Sequence, residues 1–517
     1  VIAKEFRVVT RTSRWKVVAA ATSCAVLAAC GSQVPPKDFV NAAGGGVGGN
    51  GQALTGGTGG TGVPVQDAGG TLAPGGGTGG GTGGSGGGTA GGTGGSGGGT
   101  AGGTGGSGGG TGGGSGGSAG GTGGTATHGI KPGSCAGFKN GPGITNSTIT
   151  IANVADLSGP VPGLFKSAQL AVTAYAAYFN STSSICGRKL KVEGLDSATS
   201  ESGDQQASST ACSSAFAMVG SMGAFDAGGA DTVMQCGIPD LRAASTETAR
   251  QRSSVSFGAY SLNTSEIPTA PFSYFKSLGD AYKHAAFVYL DAGASSLNAR
   301  SFIAGEEKQG FKFIYKQAIN VSGGLIPYDS YAQKMADAGV KYVQYIGAAA
   351  PYAQQLKAAI DNKSKSDSGF KPIFVMDPTA YDTHYTSAGS SVNGTYVFNA
   401  GPLFEEANRN PQLAAYLQWL QRTSGGAPTF FGTFAWSAAA LFTQLAVQLG
   451  GKLSRSSMLA AVRQVHNFTN GKMVSPQDVA GKHTPRCLSV IQLVNGKWVR
   501  KTPYPYTCGS VVNSGVS

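Results

Sequence analysis

Charge is scarce in this sequence: only 12% of its 517 residues are Asp, Glu, Lys or Arg. From about Ala43 to Thr127 a single acidic residue, Asp67, is the only charged side chain. That stretch is Gly, Thr, Ser and Ala with almost nothing apolar to bury. Glycine loses the most backbone freedom on ordering, so no packed domain is expected there. Catalytic signatures are scarce too. Outside the glycine-rich stretch there is no G-x-S-x-G, and nowhere an H-E-x-x-H or a Walker A loop. The five histidines lie far apart, and "SYFK" at Ser273–Lys276 fits S-x-x-K without its S-D-N and K-T-G companions. C-x-x-C and zinc-ligand spacings are missing, as is a G-x-G-x-x-G after the first strand. Catalytic residues, metal and cofactor are therefore expected to be none.

The formal charge is +12, yet Lys4, Arg7, Arg11, Arg14 and Lys16 against Glu5 place about +4 of it in the first residues. The rest is scattered, with no basic cluster interleaved with aromatics, which speaks against a nucleic-acid partner. After the basic segment comes "VVAAATSCAVLAAC", Val17–Cys30. This apolar run is too short to span a bilayer comfortably and has the length of a signal-peptide core, so the chain is expected to be exported. Leu27, Ala28, Ala29 and Cys30, followed by Gly31 and Ser32, resemble the lipobox of bacterial lipoproteins. That resemblance implies a signal peptide over 1–29 and a lipid on Cys30 holding the protein at the outer face of the cell membrane. Ordinary cleavage after residue 28 or 29, with Cys30 incidental, is the alternative. Beyond Cys30, "SGGGTAGGTGG" starts at Ser85 and again at Ser96, and begins a third time at Ser107. Residues 30–143 read as a disordered tether, whose glycine-rich part has a random-coil reach of roughly 50 Å.

Six cysteines remain: Cys135, Cys186, Cys212, Cys236, Cys487 and Cys508. An even count in an exported chain suggests three disulfides, out of 15 possible pairings. Near neighbours are favoured: Cys135 with Cys186, Cys212 with Cys236 across the ends of two successive helices, and Cys487 with Cys508 across a C-terminal hairpin.

From Ile144 the pattern changes. Ile149, Ile151 and Val154 mark a strand, and Ala171, Ala174, Tyr175 and Tyr178 recur at helical spacing. Strand and helix then alternate, and a similar series restarts at "HAAFVYLD", 284–291. Such alternation predicts an α/β fold of two Rossmann-like lobes with parallel sheets, joined by hinge crossovers, with a ligand cleft at the strand ends. Lobe 1 is expected over 144–265 plus 394–455, and lobe 2 over 266–393 plus 456–510.

"DLSGPVPG", "AYFNSTSSICGRKL", "AMVGSMG" and "GIPDLRAAST", in that order, are similar to the leucine/isoleucine/valine-binding family, type I periplasmic binding proteins that deliver solutes to ABC transporters. The resemblance implies ligand contacts at Leu164 and Phe165, and a carboxylate clamp at Gly223 or Ala224 with Ala244, Ser245 and Thr246. Ser245 and Thr246 are equally suited to cap the helix that follows. In the other lobe the family's aromatic position falls on Ala349 and Ala350, and its acidic partner for an ammonium on Thr379, or on Asp377 after a small slip. Asp377 also suits a cap of the turn at Pro378. The expected function is an extracytoplasmic solute-binding lipoprotein of an ABC importer, closing on a small polar solute such as an amino acid, with an ABC permease as partner. A sensing or adhesion module on the same fold is the alternative, and an exported hydrolase a more distant one.

Overall fold

The computed structural model describes residues 130–321, 324–348 and 350–516. The expected signal segment, Cys30, the glycine-rich repeat and Ala349 lie outside the described residues. The first sheet comprises β1 (Thr148–Ala155), β2 (Lys189–Asp196), β3 (Ala217–Val219), β4 (Asp240–Ala244) and β5 (Ser256–Tyr260). All pair in parallel, in the order β2-β1-β3-β4-β5. Central strands β3 and β4 are buried along their whole length, whereas edge strand β2 is largely open to solvent, as a sheet covered on both faces requires. The crossovers carry α1 (Lys166–Thr182), α2 (Glu201–Ser214), α3 (Ala230–Cys236) and α4 (Thr248–Arg252). The helical face expected in α1 is the buried one: Ala171, Ala174, Tyr175 and Tyr178 all point inward.

A two-stranded ribbon and a second sheet follow. They contain β6 (Glu266–Pro268), α5 (Ala270–Ser277), β7 (Ala285–Leu290), α6 (Ala294–Glu307), β8 (Phe313–Ile319), α7 (Tyr328–Asp337), β9 (Tyr342–Ile346), α8 (Ala350–Ser366), β10 (Ile373–Met376), α9 (Thr383–Thr386) and β11 (Tyr396–Asn399). After them come α10 (Pro411–Ser424), α11 (Phe430–Leu449), α12 (Arg455–Val462), β12 (Cys487–Val494), β13 (Lys497–Arg500), β14 (Thr507–Cys508) and β15 (Val511–Asn513). The five parallel strands run β8-β7-β9-β10-β11, the order of the first sheet repeated, and β12 and β13 extend it antiparallel.

Helix α11 returns to the first sheet, packing on α1, β4 and β5. Thr429 caps it through the Gly432 N–H. It is long and apolar enough to cross a membrane, but 89% of its apolar window is buried inside the protein. Trp436, fully buried, packs against Tyr175, Tyr178 and Tyr416. This is a core helix.

Three expected boundaries move. Strand β11 pairs with β10 and β12, so residues 394–399 belong with the second sheet and not with lobe 1. Residues 455–462 stay with the first lobe, because α12 packs on α11 and Arg455 donates to the carbonyls of Cys212, Ala215 and Phe216. The folded body also starts before 144. The Gly133 N–H donates to the Val447 carbonyl, one of those that the end of α11 leaves unpaired, and the Gly451 N–H donates back to the Ser134 carbonyl. Cys135–Cys186 fixes that segment covalently. Cys212–Cys236 and Cys487–Cys508 complete the three pairings expected, the last between directly opposed residues of β12 and β14.

Beneath the carboxyl end of the first sheet lies a buried ion network. Arg250 Nη2 meets Asp204 at 2.7 Å and its Nη1 meets Asp240 at 3.3 Å, while Arg242 lies 3.3 Å from both Asp226 and Asp240, all at 0–1% side-chain exposure. Gly229 is required against it: a Cβ there would fall 2.2 Å from Ser208 Oγ and 2.7 Å from Arg250 Nη2. At the rim, burial pushes the Glu247 carboxyl up to about 7, with Asp226, Glu201 and Asp204 adding to the rise against the Ala227 N–H that it accepts. Arg250→Ala leaves two buried carboxylates short of a partner and should cost about 3–5 kcal/mol of stability, read from urea unfolding. For Glu247 the folded value lies above the unfolded one. Its favourable contribution is therefore full below about 4.5 and lost as pH rises through about 7. The urea midpoint of Glu247→Gln relative to the native protein should rise across that window and level off above it.

Candidate functional site

In both sheets the strand order reverses once, between β1 and β3 and between β7 and β9. Crevices open at such reversals, beyond the carboxyl ends of the strands. Here the two crevices face each other. The Ala294 N–H at the start of α6 donates to the Ala224 carbonyl after β3 at 3.3 Å. Gly293 holds φ +50, and a Cβ on it would lie 2.9 Å from the Ala224 oxygen and 3.2 Å from the Phe225 ring. Only glycine permits that approach.

On the first lobe, the β1 loop is tied down by Asp196, which accepts the N–H groups of Leu157 and Ser158 and the Ser158 hydroxyl. The loop ends at half-buried Leu164 and buried Phe165. Phe165 starts a chain of rings: its edge meets Phe431 at 5.4 Å, Phe431 meets Phe430 at 5.0 Å, and Phe430 meets Tyr260 at 5.3 Å. Gly223 and Ala224 lie on the β3 loop, and Ala244, Ser245 and Thr246 close β4. The Thr246 hydroxyl donates to the Gly223 carbonyl at 2.7 Å, which joins the two loops. Ala224 donates to Asp156 at 2.8 Å, and the N–H groups of Thr246 and Glu247 both go to Asp226 at 2.9 Å. Burial raises the carboxyls of Asp156 and Asp226 above the usual range.

On the second lobe, Ala350 opens α8, and Asp377 follows β10. Asp377 accepts the Thr379 N–H at 2.9 Å and the Thr379 hydroxyl, capping the turn at Pro378. Its other oxygen faces the Gly347 N–H at 3.3 Å. Burial lifts its carboxyl. Burial likewise raises the phenol of Tyr260, and the Asp377 charge adds to that rise from the other lobe. The Tyr345 hydroxyl is buried without a hydrogen-bond partner and lies 2.9 Å from where a Cβ on Gly347 would sit.

Tyr260, Phe431 and Tyr345 were not singled out from the sequence. The signal for the first two lies in "SFGAY" and "TFFGTF", aromatic residues at the end of a strand and at the capped start of a helix. A cavity of about 470 Å³, lined by Ile326, Tyr328, Asp329, Gln355 and Asn362 among others, sits between α7 and α8 and contains none of the expected site residues. A space of about 10 Å³, room for one water, is bordered by Ser245, Tyr260, Ser261 and Lys482. Among the described residues no cluster of three or more His, Cys, Asp or Glu is placed to hold a metal ion.

No curated protein matches the sequence. Solved structures do resemble the fold. A fatty acid ABC transporter substrate-binding protein from Thermomonospora curvata is 16% identical, with a TM-score of 0.58 over 72% of this chain and 95% of its own. A branched-chain amino acid transporter substrate-binding protein from Streptococcus pneumoniae, in complex with isoleucine, is 14% identical, with a TM-score of 0.56 over 68% and 100%. A solute-binding protein of an ABC transporter from R. palustris, in complex with 4-hydroxybenzoate, is 16% identical, with a TM-score of 0.55 over 71% and 97%. At such identities the likeness concerns the fold alone. The family model for periplasmic binding proteins matches residues 148–497, which takes in the parallel strands of both sheets and all the strand-end loops described above. The chain belongs to the type I periplasmic binding protein family, whose members are exported solute-binding proteins, not enzymes, working with ABC permeases.

Proposed function

We propose that this protein is the solute receptor of an ABC importer, held at the outer face of the membrane by a lipid on Cys30. The carrying observation is the pair of facing crevices, bridged from Ala224 to Ala294, because two lobes joined by crossovers can close around a guest held between them. Leu164, Phe165, Gly223, Ala224, Ala244, Ser245 and Thr246 form its first wall, and Ala350, Asp377 and Thr379 its second. Structural relatives take solutes as different as a fatty acid, isoleucine and 4-hydroxybenzoate, so the fold is compatible with many guests and names none. The lipid reading rests on the residues before Cys30. Two or more acyl chains anchor a soluble body firmly, and the glycine-rich stretch supplies reach.

A thermal-shift screen against amino acids, amides, polyols and aromatic acids tests the receptor. A ligand at 100 times its Kd adds about 2.7 kcal/mol of stability, and a flat response across the panel counts against the reading. Gly293→Val places a branched side chain against the Ala224 carbonyl in a backbone conformation that disfavours it, and should weaken ligand binding at least about tenfold, roughly 1.4 kcal/mol, by calorimetry. Cys30→Ser should move the protein from the membrane fraction to the soluble fraction and abolish labelling with a radioactive fatty acid. Unchanged membrane association and labelling would remove the anchor.

A further inference from the structure

We infer that the pole of the first lobe remote from the cleft is a docking face for an anionic lipid bilayer. The segments that lead into the strands of the first sheet meet there, with the leading residues and the turn between α11 and α12. Residues 130–147, 183–191, 212–217, 235–239, 252–256 and 449–457 contain no Asp or Glu. They carry exposed Lys131, Lys139, Lys189, Lys191, Arg252 and Lys452. Charges scattered along the sequence are collected by the fold onto one face. The contacts between these segments show its continuity. Cys135–Cys186 joins the leading residues to the turn before β2, and the Gly451 N–H donates to the Ser134 carbonyl. Arg455 ties the start of α12 to the carbonyls of Phe216 and Cys236, and Arg463 reaches that of Ser254 before β5. From β2 to β5 the face crosses four strand spacings, roughly 20 Å.

The protein itself does not balance this charge. Lys189 Nζ donates to the carbonyls of Asn180 and Ser183, which are neutral acceptors. The buried Arg188 guanidinium stacks on the Phe138 ring at 3.8 Å and donates to the Thr145 carbonyl and the Asn140 side chain, again neutral. The corresponding end of the second sheet is built differently. There Asp280 meets Lys283 at 2.9 Å, Asp367 meets Lys363 at 3.5 Å, and Asp337 precedes β9. An ordinary solvated surface mixes signs in this way. Like charges gathered on one face repel each other and oppose the compact state, yet a disulfide fastens the segment of Lys131 and Lys139 beside that of Lys189 and Lys191.

A bilayer answers this face better than a small anion does. Its span exceeds the Debye length of about 8 Å at physiological ionic strength, so one ion reaches only part of it, whereas a plane of headgroup phosphates reaches all of it. Each Lys or Arg at an anionic bilayer surface is worth about fivefold in binding. The segment that leads back to Cys30 also joins the body here. With Cys30 acylated, this is the face nearest the lipid, and the cleft at the opposite end opens toward arriving solute. That last support rests on the anchor reading; the charge argument stands without it.

Amine labelling of the exported full chain on vesicles tests the face, with each lysine followed by mass spectrometry. On phosphatidylcholine vesicles holding about 30% phosphatidylglycerol, Lys131, Lys139, Lys189, Lys191 and Lys452 should label at least about threefold more slowly than on phosphatidylcholine alone. Lys334, Lys341, Lys371 and Lys497, exposed on the second lobe, should label equally on both. About 0.5 M NaCl should remove the difference. Combining Lys131→Gln, Lys139→Gln, Lys191→Gln and Lys452→Gln alters exposed side chains only, should leave the melting temperature unchanged, and should abolish the protection of Lys189. Equal labelling of the pole on both vesicles overturns the inference, as does protection of Lys189 that survives the four substitutions. Stronger protection by soluble polyphosphate than by lipid at equal phosphate also overturns it, since the face would then belong to a free polyanion. An acylated protein that fails this test keeps its anchor and loses the docking face. An unacylated one that still sediments with the phosphatidylglycerol vesicles alone keeps the face and loses the anchor.

Discussion

The first lobe depends on two buried guanidinium groups. Arg242 comes from β4 and Arg250 from α4, and between them they face Asp204 on α2, Asp226 on the β3 loop and Asp240 at the start of β4. A fully desolvated guanidinium is tolerated only with carboxylates in contact, and each of these carboxylates needs the cation as much. Four chain segments are therefore held in one arrangement. Asp226 and Asp204 also accept backbone N–H groups of the strand-end loops. The shape of the cleft wall follows from that charge balance more than from loop sequence.

The second lobe solves the same topological problem without such a network. Its strands repeat the order of the first sheet, and the two antiparallel additions, β12 and β13, cover the edge that β11 would leave open. Crossovers pass between the lobes three times. Near the third, the Gln477 side chain accepts the Ser261 N–H and the Asp478 carbonyl accepts the Ser261 hydroxyl. These are single hydrogen bonds between loop segments, the kind of connection that allows two packed bodies to rotate as units.

Much of the architecture was legible because it is local. The spacing of Ala171, Ala174, Tyr175 and Tyr178 marks the buried side of α1, and the apolar run in "HAAFVYLD" marks β7, since helix and strand impose their periods on neighbouring residues. The disulfides follow from proximity along the chain. What escaped depends on distant segments meeting. Strand β11 was placed with the wrong lobe because nothing within "TYVFN" says that its partners are β10 and β12. Arg242 and Arg250 look like surface charges until the fold brings three aspartates to them. The ring cluster beside the β1 loop is of the same kind: Tyr260 comes from the end of β5 and Phe431 from the start of α11, joined through Phe430. Only folding brings those two together.

Helix α11 has one end among these rings and the other beside Gly133 and Ser134. At about 1.5 Å per residue its 20 residues put roughly 30 Å between them. The leading segment thus joins the body at the pole remote from the cleft, riveted by Cys135–Cys186 to the turn before β2. Tension on that lead would be borne by covalent bonds within one half of the molecule. The other half, joined to it by the crossovers and by the Ala294 N–H to Ala224 carbonyl contact across the cleft, would lie outside that line of load.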